Sequence, residues 1–164
     1  MRILSLIAVV LFVSSLAAPA RAGMGEDCNQ DYDRGLNISG CTALILSGQL
    51  SVRNLVIVYN RRGLAYADLG KYHQAIEDYD QTLRLDPGYA RAYSNRAIAH
   101  CHLEQFDASL DDWMQALRFG ALTAKALQSA LRDRGFYKGA IDGDFGPASR
   151  NALSDWTVAG CPGG

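Results

Sequence analysis

"YNRRGLAYADLGKYHQAIEDYDQTLR", residues 59–84, lies without a gap over "YSNRAIAHCHLEQFDASLDDWMQALR", residues 93–118, at an offset of 34. Tyr59 meets Tyr93, Arg62 meets Arg96, Ala65 meets Ala99, Leu69 meets Leu103, Asp78 meets Asp112 and Gln81 meets Gln115. Where the two differ they stay similar in kind, as in Gly63/Ala97, Tyr72/Phe106 and Tyr79/Trp113. A period of this length marks stacked supersecondary units, each too small to bury its apolar face alone.

Each unit reads as two helices. Helical spacing runs from Leu55 to Leu69 and is stopped by Gly70; a second run from Tyr72 to Leu85 is stopped by "DPG", where Pro87 cannot continue a helix. Small residues (Gly63 and Ala75, then Ala97, Ser109 and Ala116) fall where paired helices must approach closely, with aromatics between them. The pattern resembles the tetratricopeptide repeat, with Gly63, Tyr66, Ala75, Tyr79 and Pro87 at that family's signature spacings. Two units are expected over residues 56–122. The second departs at Ala97, Ser109 and Ala121, as a terminal, capping unit does. The expected fold class is all-α, a short helical-hairpin solenoid.

Both ends of such a stack need covering. Stepping back by 34 from Ala75 and Tyr79 lands on Cys41 and Ile45, so residues 31–48, within an N-terminal segment 23–55, read as a degenerate capping helix. Beyond the second unit, "TAKALQSALRDRG" predicts a helix from near Thr123 to Gly135, and Pro147 suits the first turn of another. Between them lies "GFYKGAIDGDFGP". It lacks the lysine of a phosphate loop and the twelfth-position glutamate of a calcium loop. Asp142 is expected to bond turn amides while Gly143 and Gly146 supply backbone angles that residues with a Cβ resist. Phe136, Ile141 and Phe145 are expected to turn inward.

Residues 122–158 also resemble the small helical peptidoglycan-binding domain, through Leu127-Gln128, Leu131, Gly135-Phe136, Ile141-Asp142-Gly143, Phe145-Gly146, Ser149 and Ala152-Leu153. The segment 123–164 departs from that family at Trp156-Thr157 and lacks its last helix. The resemblance implies contact with cell-wall peptidoglycan, with Tyr137, Asp142, Asp144, Arg150 and Trp156 as candidates to line the cleft. The alternative is that this segment only caps the repeats.

The start of the chain reads as an export signal: Arg2, an apolar run from Ile3 to Leu16, then "LAAPARA" before a cut at Gly23. The run is short of the ~20 residues that span a bilayer, so no stable membrane insertion is expected after cleavage. Residues 1–22 hold Arg2 and Arg21 and no acid, so the 16 basic residues of the chain become 14 against 17 acidic. That balance, with no basic block, argues against a nucleic-acid partner. Four cysteines in an exported chain suggest disulfides, with Cys28–Cys41 the first choice and Cys101–Cys161 the implied second. The expected location is the bacterial periplasm or cell envelope.

No nucleophile elbow, HExxH or Ser/His/Asp arrangement occurs, so no enzyme and no cofactor are expected. His100 and His102 point ~200° apart on a helix, so a metal site is not expected either. The acids Glu77, Asp78, Asp80, Asp111 and Asp112 read as a solvated outer face, and "NIS" at 37–39 is a glycosylation sequon that a bacterial wall protein has little use for.

The repeat family binds partners in a concave groove lined by its first helices. Carried over by position, that groove shows Ile57, Asn60, Leu64, Ala67 and Asp68, then Arg91, Ser94, Ile98, Cys101 and His102. The expectation is an exported, non-enzymatic adaptor that binds a protein or peptide there and contacts peptidoglycan through its C-terminal module. The rival is a purely protein-binding module.

Overall fold

The computed structural model describes residues 25–30 and 32–160. The export signal and Cys161, half of the implied second disulfide, lie outside these residues. Seven long helices occur among them: α1 (Arg34–Leu46), α2 (Val52–Asp68), α3 (Tyr72–Leu85), α4 (Ala90–His102), α5 (Phe106–Arg118), α6 (Ala124–Asp133) and α7 (Pro147–Ala159). Each of α1 to α4 packs on the next; α7 then packs on α5, with α6 against α7. The result is an all-α stack of helical hairpins. No helix among the described residues is long and apolar enough to cross a membrane.

Local chemistry sets the ends. Side-chain oxygens of Asp33, Ser51 and Thr123 cap α1, α2 and α6 by accepting the amides of Leu36, Asn54 and Ala126. The Ser51 cap starts α2 three residues before Leu55, the sequence-based start. Gly70 ends the first helix of its hairpin at φ +71°, and Glu104, 34 residues on, is forced to φ +58° at the same turn. A side chain resists that conformation.

Inside each hairpin the repeated residues do one job. Arg62 of α2 grips Asp78 of α3 with two hydrogen bonds, Nε to Oδ2 at 2.8 Å and Nη2 to Oδ1 at 2.7 Å. Arg96 of α4 grips Asp112 of α5 at the same distances. Tyr59 and Tyr93 lie under the guanidiniums, at 5.6 and 5.7 Å. Each arginine also reaches back to the preceding unit, Arg62 to the Thr42 hydroxyl at 2.9 Å and Arg96 to Asp80 at 2.5 Å. Asp78 and Asp112 are therefore buried, at 3% and 4% exposure, which corrects the expectation of a solvated acidic face for these two; Glu77 and Asp111 are exposed. Burial pushes the Asp78 carboxyl above its ordinary range against the pull of Arg62, whose own hold on its proton is strengthened by the hydrogen bond to Asp78.

Packing explains the paired differences between the units. A Cβ on Gly63 would stand 2.7 Å from Cε1 of Tyr79, so glycine lets the tyrosine ring lie flat on α2. In the second unit Ala97 faces Trp113 within a single core cluster. Ser109, where the first unit has Ala75, donates its hydroxyl to the Ala97 carbonyl at 2.8 Å.

At the N-terminal end Cys28 and Cys41 form a disulfide, S–S 2.05 Å. Gly40 permits it: a Cβ there would fall 2.5 Å from the Cys28 amide. Asn37 is 5% exposed, and its amide donates to the carbonyls of Cys28 and Gln30. The sequon asparagine is thus a buried fastener. At the other end Leu127, Leu131, Tyr137, Ala152, Leu153 and Trp156 join Ala97, Trp113 and Ala116 in one core, so the C-terminal hairpin closes the second repeat unit.

Two substitutions test this account. Asp78→Ala leaves the Arg62 guanidinium without its carboxylate and should cost about 3 kcal/mol, read as a lowered urea midpoint. Glu104→Gly relieves the positive φ and should raise the same midpoint, by roughly 1 kcal/mol.

Candidate functional site

The concave side of the stack holds a cavity of about 550 Å³ between α1, α2 and the start of α4. Ile57, Asn60, Arg61, Leu64, Ala65 and Asp68 of α2 form its floor, Arg34 and Asn37 of α1 one wall, and Tyr89 and Arg91 the other. Of the expected groove residues, Asn60, Leu64, Asp68 and Arg91 meet here, with Ile57 beside them. Their arrangement follows from the helical period: residues 57, 60, 61, 64 and 68 of α2 share one face. Ile57 and Leu64 are 37% and 39% exposed, and they place apolar surface in the pocket floor among its polar groups. Asn60 is buried and accepts the Asn95 amide at 3.3 Å, which ties α2 to α4 beneath the floor.

The other expected groove residues are placed elsewhere. Ser94 turns its hydroxyl to the Arg91 carbonyl at 3.1 Å. Ile98 packs against the C-terminal core. His102 stacks on Tyr72 of α3, rings 4.3 Å apart and 5° from parallel. Cys101 is buried, its sulfur 3.4 Å from the Thr157 carbonyl oxygen of α7. His102 and Cys101 thus face α3 and α7 rather than the pocket. The histidines diverge, as their spacing implies: His100 Nδ1 lies 2.6 Å from Gln105 Oε1 and its Nε2 3.7 Å from Asp112.

Position matching along first helices missed half of the lining. Arg34 and Asn37 come from the capping helix, and Tyr89 sits at the N-cap of α4. Arg61 was visible on the face of Ile57 and Leu64, four residues from the first and three from the second. Electrostatically the pocket is basic, with three arginines against one aspartate. Arg34 is committed to Asp68 at 2.7 Å.

The glycine-rich loop has a different centre from the one its aspartates suggest. Gln128 of α6 is fully buried, and its amide organises the turn. Nε2 donates to Asp142 Oδ1 at 3.0 Å and to the Asp144 carbonyl at 2.9 Å, while Oε1 accepts the Gly143 amide at 2.9 Å. Asp142 Oδ1 also accepts the Asp144 amide at 2.9 Å, the turn role expected of it. Gly143 adopts φ +88°, but Gly146 caps α7 at φ −76°, ψ −168°, a conformation open to any residue. Of the peptidoglycan candidates, Asp142, Asp144 and Arg150 are exposed. Tyr137 and Trp156 are 7% and 8% exposed and belong to the core, with Arg134 over the Trp156 ring at 4.8 Å.

Hydrogen bonds from Gln128 and the Asp144 amide hold the Asp142 carboxyl below its ordinary range. A depressed carboxylate stabilises the fold above its unfolded pKa of about 3.9; that contribution is lost as pH falls through the lower folded value. Exchange protection of the Asp144 amide should therefore persist at neutral pH and fall in acid, and Asp142→Asn should flatten this dependence. Gln128→Met, which strands the Gly143 amide, should cost about 2 kcal/mol in denaturant melts.

Residues 56–89 match the tetratricopeptide repeat family, the first of the two hairpins (α2 and α3). No curated protein matches the chain. Repeats of this kind are protein–protein interaction elements and are generally not themselves enzymes.

Proposed function

We propose that the protein is an exported, non-enzymatic adaptor of the bacterial cell envelope that holds a peptide segment of a partner protein in the pocket over α2. The observation that carries this reading is the pair of half-exposed apolar side chains, Ile57 and Leu64, set among polar groups on a concave, preformed floor. The Cys28–Cys41 bridge, with its buried sulfurs, suits an oxidising compartment.

The C-terminal hairpin acts first as a cap. Its apolar face and the second unit share one core, and Tyr137 and Trp156 are spent in that core. A peptidoglycan contact, the second reading, is favoured only by the exposed Asp142, Asp144 and Arg150 around the loop, and rests on them.

A photo-crosslinking residue at Leu64 should trap a partner polypeptide in the intact cell envelope, whereas one at Glu77, exposed on α3, should not. Adducts of equal yield at both positions, or none at Leu64, would sink the adaptor reading. For the wall, deleting residues 122–164 would uncover Trp113 and Ala116, so surface variants are the cleaner probe. Purified sacculi should retain the protein no better than its Asp144→Asn/Arg150→Ala variant; retention that these changes abolish would establish peptidoglycan binding instead.

A further inference from the structure

We infer that the Asp142–Gly143 step is a site of isoaspartyl modification, a spontaneous main-chain rearrangement that the Gln128 side chain holds shut while the C-terminal turn is folded. The sequence contains one Asp-Gly step and no Asn-Gly step. At such a step the missing Cβ lets the following amide nitrogen approach the carboxyl carbon. The Gly143 nitrogen attacks Cγ of Asp142 and forms a new C–N bond. Its proton and the carboxyl oxygen depart as water, leaving a five-membered succinimide. Water then adds to a ring carbonyl. Opening at the original main-chain carbonyl breaks the old peptide bond and routes the chain through Cβ and Cγ, with the α-carboxylate left as a side group. One water is lost and one regained, so mass is unchanged and no oxidant or reductant is needed.

Both reacting groups are held in the folded turn. The Gly143 amide donates to Gln128 Oε1 at 2.9 Å, which ties up the nucleophile. Asp142 Oδ1 accepts Gln128 Nε2 at 3.0 Å and the Asp144 amide at 2.9 Å, which ties up the electrophile. One side chain thus grips both partners, and it is fully buried and anchored again at the Asp144 carbonyl. The bonds from Gln128 and Asp144 also hold the carboxyl below its ordinary range, away from the protonated form that leaves as water. Asp142 itself is exposed, so water reaches the ring once the grip opens. The rearrangement adds one carbon to the main chain before Gly143. That shifts the Gly143 amide out of register with Oε1, so the turn does not relock.

Ageing the mature protein at neutral pH tests this. Isoaspartate is read by S-adenosylmethionine-dependent methylation of isoaspartyl carboxylates and by peptide mapping at Asp142. A synthetic peptide of residues 135–150 supplies the rate without the fold. The folded protein should accumulate isoaspartate about tenfold more slowly than the peptide, and Gln128→Met, which releases both groups, should recover most of that factor. Asp142→Glu, which would have to close a six-membered ring, should abolish the signal and so assign it. Leu153→Val thins the same core without touching Gln128 and should age like the parent. Both variants are compared at a temperature where circular dichroism shows them folded. Equal rates in protein and peptide, a Gln128→Met protein that ages like the parent, equal acceleration by Gln128→Met and Leu153→Val, or a signal that survives Asp142→Glu would each overturn the inference.

Discussion

The arginine–aspartate clamp between the two helices of each hairpin is the constraint on which the rest depends. A carboxylate buried as deeply as Asp78 or Asp112 is tolerated only where a guanidinium satisfies both its oxygens. Because the bond is bidentate it fixes direction as well as distance. The backward reach of the same side chains to Thr42 and Asp80 joins each hairpin to the element before it. One residue type thus sets both the angle within a hairpin and the step between units. The pocket is floored by α2, which the first clamp ties to α3, and walled by α1 and the start of α4.

Around that frame the packing is adjusted locally. Gly63 with Tyr79, and Ala97 with Ser109 and Trp113, are two solutions to the same helix contact, each keeping the helices close. The ends are closed by different devices. At the start a disulfide and the Asn37 amide hold a short segment against α1. At the finish a hairpin of its own shares the apolar core, and Gln128 locks its turn from within. The pocket lies nearer the first closure, which explains why the capping helix contributes Arg34 and Asn37 to its wall.

Much of the fold was legible because it is periodic. Matching Tyr59, Arg62 and Asp78 to Tyr93, Arg96 and Asp112 revealed two equivalent hairpins, and "DPG", Gly70 and Pro147 marked their boundaries. The candidate site was legible only in part. Asn60, Leu64, Asp68 and Arg91 were carried over by position from the repeat family that the first helices resemble. Arg34 and Tyr89 belong to other elements and enter the pocket only through tertiary packing. Asp78 looked like a surface acid because its pattern of neighbours is polar; its burial depends on Arg62, sixteen residues away. Gln128 carried no sequence signal of a hub, since an amide on a helix is ordinary until a loop folds over it.

By itself, the sequence determined the helical hairpins and their order, because a 34-residue period and its turn residues act over short distances. It also made Cys28–Cys41 the first choice among three possible cysteine pairings, since that pair staples a weak segment, and the structure forms it. Tertiary structure decided which polar residues are buried, which arginines find a carboxylate, and that Tyr137 and Trp156 close a core. Those outcomes depend on which surfaces meet when the hairpins stack. Pairing and burial are properties of the neighbour a side chain acquires, and the local pattern does not specify that neighbour.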